Sequence, residues 1–119
     1  MDFWATWCPS CRESVPELKD LTRKYPSDRL VLISISADED ENSWKEFIAK
    51  KKMDWPQYHD SDRTIMRAFG VHSFPTYLVM DGEGIIRQRI VGLNPRETVV
   101  HRLKETLRSM PQLEGVARK

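Results

Sequence analysis

Cys8 and Cys11 are the only two cysteines in the chain, and only Pro9 and Ser10 separate them. Two thiols at this spacing can close a disulfide when the backbone between them makes one helical turn. The flanking pattern provides that turn. Asp2 to Thr6 is apolar and aromatic and reads as a short buried strand. From Pro9 onward, Cys11, Val15, Leu18, Leu21 and Tyr25 follow one face of a helix. The pair therefore lies where a strand meets a helix N-terminus. Free N–H groups and the helix dipole there favour a thiolate at Cys8, and such sites lower a thiol pKa from about 8.5 to about 3.5–7.5. Cys8 can then attack a disulfide and Cys11 can resolve the mixed disulfide that forms. Pro9 in the first helical turn costs no hydrogen bond.

Other uses of a cysteine pair fit less well. Zinc needs about four ligands. No third cysteine exists, and His59, His72 and His101 stand singly, so no metal site is expected. Two inert core cysteines would not need a strand-to-helix junction or tryptophan neighbours. No cofactor beyond the dithiol itself is called for. The 119 residues make one domain, and 19 basic against 18 acidic side chains give no reason to expect nucleic acid or an anionic membrane as partner. No apolar run approaches the roughly 18 residues that span a bilayer. "MDFWATW" lacks the basic region and cleavage site of a signal peptide.

The elements that must position the pair are legible in turn. Pro16 lies inside the first helix and should kink it, and "YPSD" should close it. "LVLISIS", Leu30 to Ser36, reads as a buried strand. The acidic run Asp38 to Glu41 reads as a solvated loop, and Ser43 with Glu46 as the capping box of a helix carrying Trp44, Phe47 and Ile48. "DWPQYHDSD" reads as a connector. Asp62 should cap a short helix with Ile65, Met66 and Phe69, which Gly70 ends. Strands Thr76–Met80 and Ile85–Val91 flank "DGEG" as a hairpin. A last helix follows, with Asn94 as cap, Pro95 and Glu97 in its first turn, and Val99, Val100, Leu103, Leu107 and Met110 on its buried side. The expected order is β-α-β-α-α-β-β-α, one α/β domain over residues 1–111 with a frayed tail at 112–119.

"DFWATWCPSC" resembles the active-site segment of the thioredoxin superfamily, and "SFPT" resembles its second mark, a cis-proline before the following strand. The resemblance covers essentially the whole chain. It implies a thioredoxin-like fold: a central mixed sheet flanked by helices, with an insertion before the cis-Pro strand. Residues 38–74 are longer than the same region of a plain thioredoxin, and with "VMDGEGIIRQRIVG" they look like the TlpA/ResA-like branch. That resemblance implies a reductase of protein disulfides, with protein or small-molecule thiols and disulfides as substrates and an upstream redox partner. It implies that Pro75 is cis and keeps metals off the thiols, and that the Phe74 backbone pairs with substrate. Trp7 would form a hydrophobic rim beside Cys8, and Pro9 and Ser10 would face the substrate. Asp2 stands where ordinary thioredoxins keep a buried aspartate that takes a proton from the resolving cysteine. Two readings stay open for it: a buried base with raised pKa, or a solvated carboxylate at the chain's beginning.

Some features depart from the branch. Some cytochrome-maturation members carry a glutamate three residues after the second cysteine, where this chain has Ser14, with Glu13 adjacent. Peroxiredoxins share the fold, but their threonine three places before the reactive cysteine is here Ala5, with Thr6 one step off. A thiol peroxidase is therefore the alternative reading, and a non-catalytic binding domain a further one. Arg12 could steady a thiolate or simply face solvent, and His72 reads as a surface residue. Few residues precede the CxxC, so Met1 reads as internal to a longer protein, with an N-terminal hairpin and any anchor upstream. Branch membership implies a periplasmic or membrane-anchored bacterial protein. A monomer or weak dimer is expected, pairing through the exposed sheet flank.

Overall fold

The computed structural model describes residues 1–92 and 99–109, without the side chains of Val99 and Val100. The elements run β1 (Asp2–Trp4), α1 (Pro9–Lys24), β2 (Ser34–Ser36), α2 (Glu41–Lys51), β3 (Gln57–His59), α3 (Thr64–Ala68), β4 (Thr76–Met80), β5 (Ile86–Val91) and α4 (Val99–Arg108). The strands form one mixed sheet in the order β3-β2-β1-β4-β5. β2 pairs parallel with both β1 and β3, while β4 pairs antiparallel with both β1 and β5. This is the expected thioredoxin-like architecture, with β1 in the middle of the sheet.

Strand alternation divides the core. Trp4, Tyr77, Val79 and Ile90 pack on one face against Val15, Leu18 and Leu21 of α1 and Leu103 and Leu107 of α4. Trp44, Phe47 and Ile48 of α2 close the same face. Phe3, Ile35 and Leu78 point to the other face, where Met66 of α3 and Val71 cover them. α1 continues through Pro16, which lies on its exposed side, and ends at Tyr25, whose N–H reaches the Leu21 carbonyl.

Several expectations need correction. β1 ends at Trp4 rather than Thr6, because Ala5 turns to accept the Cys8 N–H and Thr6 bonds to a side chain. β2 is only Ser34–Ser36: these residues are the ones flanked by both β1 and β3. "DWPQYHDSD" is not a plain connector, since Gln57–His59 forms edge strand β3, with Tyr58 exposed. α2 starts earlier than the Ser43 capping box. Asp40 is its cap, accepting from the Asn42 N–H and the Ser43 hydroxyl. Before α3, Asp62 accepts from the Thr64 N–H, but Asp60 takes the Ile65 and Met66 N–H groups. Gly70 follows α3 at φ +64°, where a residue without Cβ is favoured. The hairpin forms as expected, with Ile85 left in the turn and Asp81 accepting from the Glu83 and Ile85 N–H groups. Asn94, Pro95, Glu97, Met110 and the 112–119 tail lie outside the described residues. Among the described residues no helix is long and apolar enough to cross a membrane.

Candidate active site

The cysteine pair occupies the start of α1, as its spacing predicts. Cys8 is the N-cap, in extended backbone, and its Sγ accepts the Cys11 N–H at 3.3 Å. Pro9 fills the first helical position, where its missing N–H costs nothing. The two cysteines are joined in a disulfide with Cα atoms 5.2 Å apart, within the usual range for such a bond. Both are buried, while Pro9 and Ser10 are exposed. The Ser10 hydroxyl lies 3.6 Å from the Cys8 sulfur, so a thiolate there can draw on a backbone N–H, a nearby hydroxyl and the helix dipole together.

Trp7 is 56% exposed and meets the Phe74 ring edge-on at 5.8 Å. Its large apolar surface thus stands open beside Cys8, while Trp4 is buried against Phe47. The Phe74–Pro75 bond is cis, Pro75 is buried, and Phe74 packs against the core that contains both cysteines. Trp7 and Phe74 are thus in contact, and they adjoin Cys8 and Pro75 respectively in the chain. Arg12 and His72 are exposed.

Asp2 is buried, which removes the solvated reading. It pairs with Ser34 on one side and Tyr77 on the other, and period-two alternation puts it on the α1 face with Trp4. Its Oδ2 accepts from the Ser34 hydroxyl at 2.7 Å, while Oδ1 is buried without a protein partner among the described residues. Burial pushes this carboxyl up to about 6, against the opposing pull of the Ser34 hydrogen bond and the nearby terminal amine. Tyr77 is pushed well above its ordinary range by burial and by the Asp2 charge.

The acidic run departs furthest from expectation. Glu39 and Asp40 are exposed, but Asp38 is 2% exposed and fully engaged. The Thr6 N–H reaches both of its oxygens at 3.2 and 3.1 Å, the Thr6 hydroxyl donates at 2.6 Å, and the Ser36 hydroxyl donates as well. Asp38 thereby anchors the turn that carries Trp7 and Cys8. Sequence reasoning missed it, although "ISISAD" held a signal. Polar Ser34, Ser36 and Asp38 recur every second residue in a strand otherwise buried, which points to an inward polar row.

The comparisons agree with this geometry. Residues 1–86 match the family model described as thioredoxin-like. The thiol-disulfide oxidoreductase ResA of Bacillus thuringiensis subsp. konkukian is 30% identical over 105 residues, which cover 88% of this chain and 61% of that protein. A Chlorobium tepidum structure described as the thiol:disulfide interchange protein DsbE superposes with a TM-score of 0.81 at 25% identity, covering 91% of this chain and 75% of that one. StoA of Bacillus subtilis superposes at 0.73 with 25% identity, covering 87% and 77%. The chain spans 61% of the length of the ResA relative. The chain belongs to the thioredoxin-like family, in its TlpA/ResA-like branch.

Proposed function

We propose that this chain is a thiol–disulfide oxidoreductase that reduces protein disulfides. The carrying observation is the Cys8 sulfur at the N-cap of α1, receiving a backbone N–H, with Cys11 one turn away in disulfide contact. In the reduced protein the Cys8 thiolate attacks one sulfur of a substrate disulfide. That S–S bond breaks, and the first substrate thiolate leaves and takes a proton from water. Cys11 then loses its proton and attacks Cys8 Sγ, and the second substrate thiolate departs as the Cys8–Cys11 disulfide forms. Two electrons pass to substrate, carried by the cysteine couple itself, and an upstream dithiol restores the pair. Asp2 takes the Cys11 proton, its raised pKa matching that task near neutral pH. Trp7 and Phe74 form the apolar rim that meets the substrate chain, Pro75 keeps metals off the thiols, and Pro9 and Ser10 face the substrate. Branch resemblance supports a site of action outside the bacterial cytoplasm.

The peroxidase alternative is disfavoured by Thr6. Its hydroxyl donates to Asp38 at 2.6 Å rather than to a peroxide beside Cys8. Cys8→Ser is expected to abolish reduction of a protein disulfide, and Cys11→Ser to accumulate a mixed disulfide visible by intact mass. Wild-type activity in Cys8→Ser overturns the exchange mechanism. A redox titration then sets direction: a midpoint near the −270 mV end of the family range supports a reductase, and one near −120 mV an oxidant.

A further inference from the structure

We propose that Ser34 and Trp55 are positioning residues for Asp2: they fix Oδ2 as a hydrogen-bond acceptor and leave Oδ1 as the atom that gains and releases the proton. The inference rests on the reading of Asp2 as the proton acceptor for Cys11. Its geometry is a chain of three buried groups on three segments. The Trp55 indole Nε1–H donates to Ser34 Oγ at 2.8 Å, and Ser34 Oγ donates to Asp2 Oδ2 at 2.7 Å. Trp55 is 8% exposed, Ser34 0% and Asp2 2%.

The direction of the chain follows from donor chemistry. An indole nitrogen can only donate, and a hydroxyl has one hydrogen. Because Ser34 accepts from Trp55, its own hydrogen is free to point at Asp2. Oδ2 is thereby engaged, while Oδ1 is buried with no protein partner among the described residues. A proton entering this carboxyl settles on Oδ1, since a hydrogen on Oδ2 would face the Ser34 hydrogen. The Ser34 hydrogen bond also favours the carboxylate and so limits how far burial can hold the group protonated. The donor is rigidly held: the loop carrying Trp55, between α2 and β3, is tied to β2 by the Ser34 N–H bonding the Pro56 carbonyl at 3.0 Å. That loop thus takes part in tuning the site although it lies far along the chain from the cysteines.

Among the described residues, few titratable groups surround Asp2. The Met1 amino group, just before β1, neighbours it and donates to the Leu78 carbonyl. Tyr77 faces it from β4. Glu17 of α1 acts on Tyr77, and the Cys8 and Cys11 thiols of the reduced protein lie on the same helix. Neither Ser34 nor Trp55 titrates, so changing them alters the hydrogen bonding of Asp2 without removing a charge.

The test reads Asp2 directly, by carboxyl carbon NMR of the whole chain against pH, with Asp2→Asn identifying the resonance. Ser34→Ala is expected to move the midpoint upward by about 1 pH unit. Trp55→Phe keeps a ring in place and frees the Ser34 hydroxyl to turn away, so a smaller upward shift is expected. Midpoints unchanged in both variants overturn the proposal. The rate at which Asp2→Asn resolves a mixed disulfide is measured separately. Upward shifts combined with a wild-type resolving rate support the hydrogen-bond chain while refuting Asp2 as proton acceptor. Upward shifts with a slowed rate support both.

Discussion

Asp2 and Asp38 are equally buried, at 2% exposure each, and each is served by a serine of β2. Their surroundings differ in the number of donors. Asp38 takes hydrogen bonds on both oxygens from the Thr6 N–H, and further bonds from the Thr6 and Ser36 hydroxyls. Asp2 takes one bond on one oxygen. Burial alone therefore does not mark a carboxylate for chemistry. A fully bonded one acts as a fastener, and an under-bonded one has its ionisation pushed toward neutral pH, where it can exchange a proton.

The sharpest test of that contrast is to remove the fastener. Asp38→Ala takes the acceptor from the half-buried Thr6 N–H and hydroxyl and from the buried Ser36 hydroxyl, and at about 1–3 kcal/mol per unpaired buried group a loss of about 2–4 kcal/mol is expected in denaturant unfolding. Disulfide reduction should fall with it, measured well below the midpoint of unfolding, because the turn carrying Trp7 and Cys8 loses its anchor. Asp38→Asn keeps an acceptor and should lose less. Wild-type stability in Asp38→Ala breaks the comparison.

Removing the under-bonded carboxylate should act in the opposite direction. The folded pKa of Asp2 lies near 6, above the ordinary 3.8. Its contribution to stability is full below about 3.8 and falls as pH rises, being lost above about 6. Asp2→Asn is uncharged and still offers Ser34 an acceptor. It should therefore be more stable than wild type at pH 8, by about 3 kcal/mol at most, with the gain vanishing toward pH 4. Resolution of a trapped mixed disulfide should slow in the same variant. A protein less stable than wild type at pH 8 would show that Asp2 is a fastener too.

The sequence made one of these two regions readable and concealed the other. Cys8 and Cys11 were legible because a lone CxxC between an apolar strand and an amphipathic helix has little else to do. Asp2 was legible as a candidate only through the resemblance to thioredoxins, and its burial depended on β2 and β4 closing around it. Asp38 was hidden in an acidic run whose next two residues are indeed exposed. What buries it is a long-range bond to Thr6, and no local period reports such a contact. β3 was concealed for a related reason. It is a three-residue edge strand, and its pairing with β2, not its own pattern, makes it a strand.

A third aspartate separates anchoring from general stability. Asp60 is also 2% exposed, and both of its oxygens are bonded, to the Ile65 and Met66 N–H groups. By donor count it belongs with Asp38, but its bonds go to the first turn of α3, whose Met66 sits in the core on the face away from α1. Asp60→Ala is equivalent to losing a helix cap, so a loss of about 1–2 kcal/mol is expected. Disulfide reduction should stay within about twofold of wild type, since the Asp60 side chain bonds to the first turn of α3 and not to Thr6 in the turn before Cys8. If activity instead falls as far as in Asp38→Ala, the effect of Asp38 is one of overall stability, and its anchoring of the Cys8 turn no longer explains it.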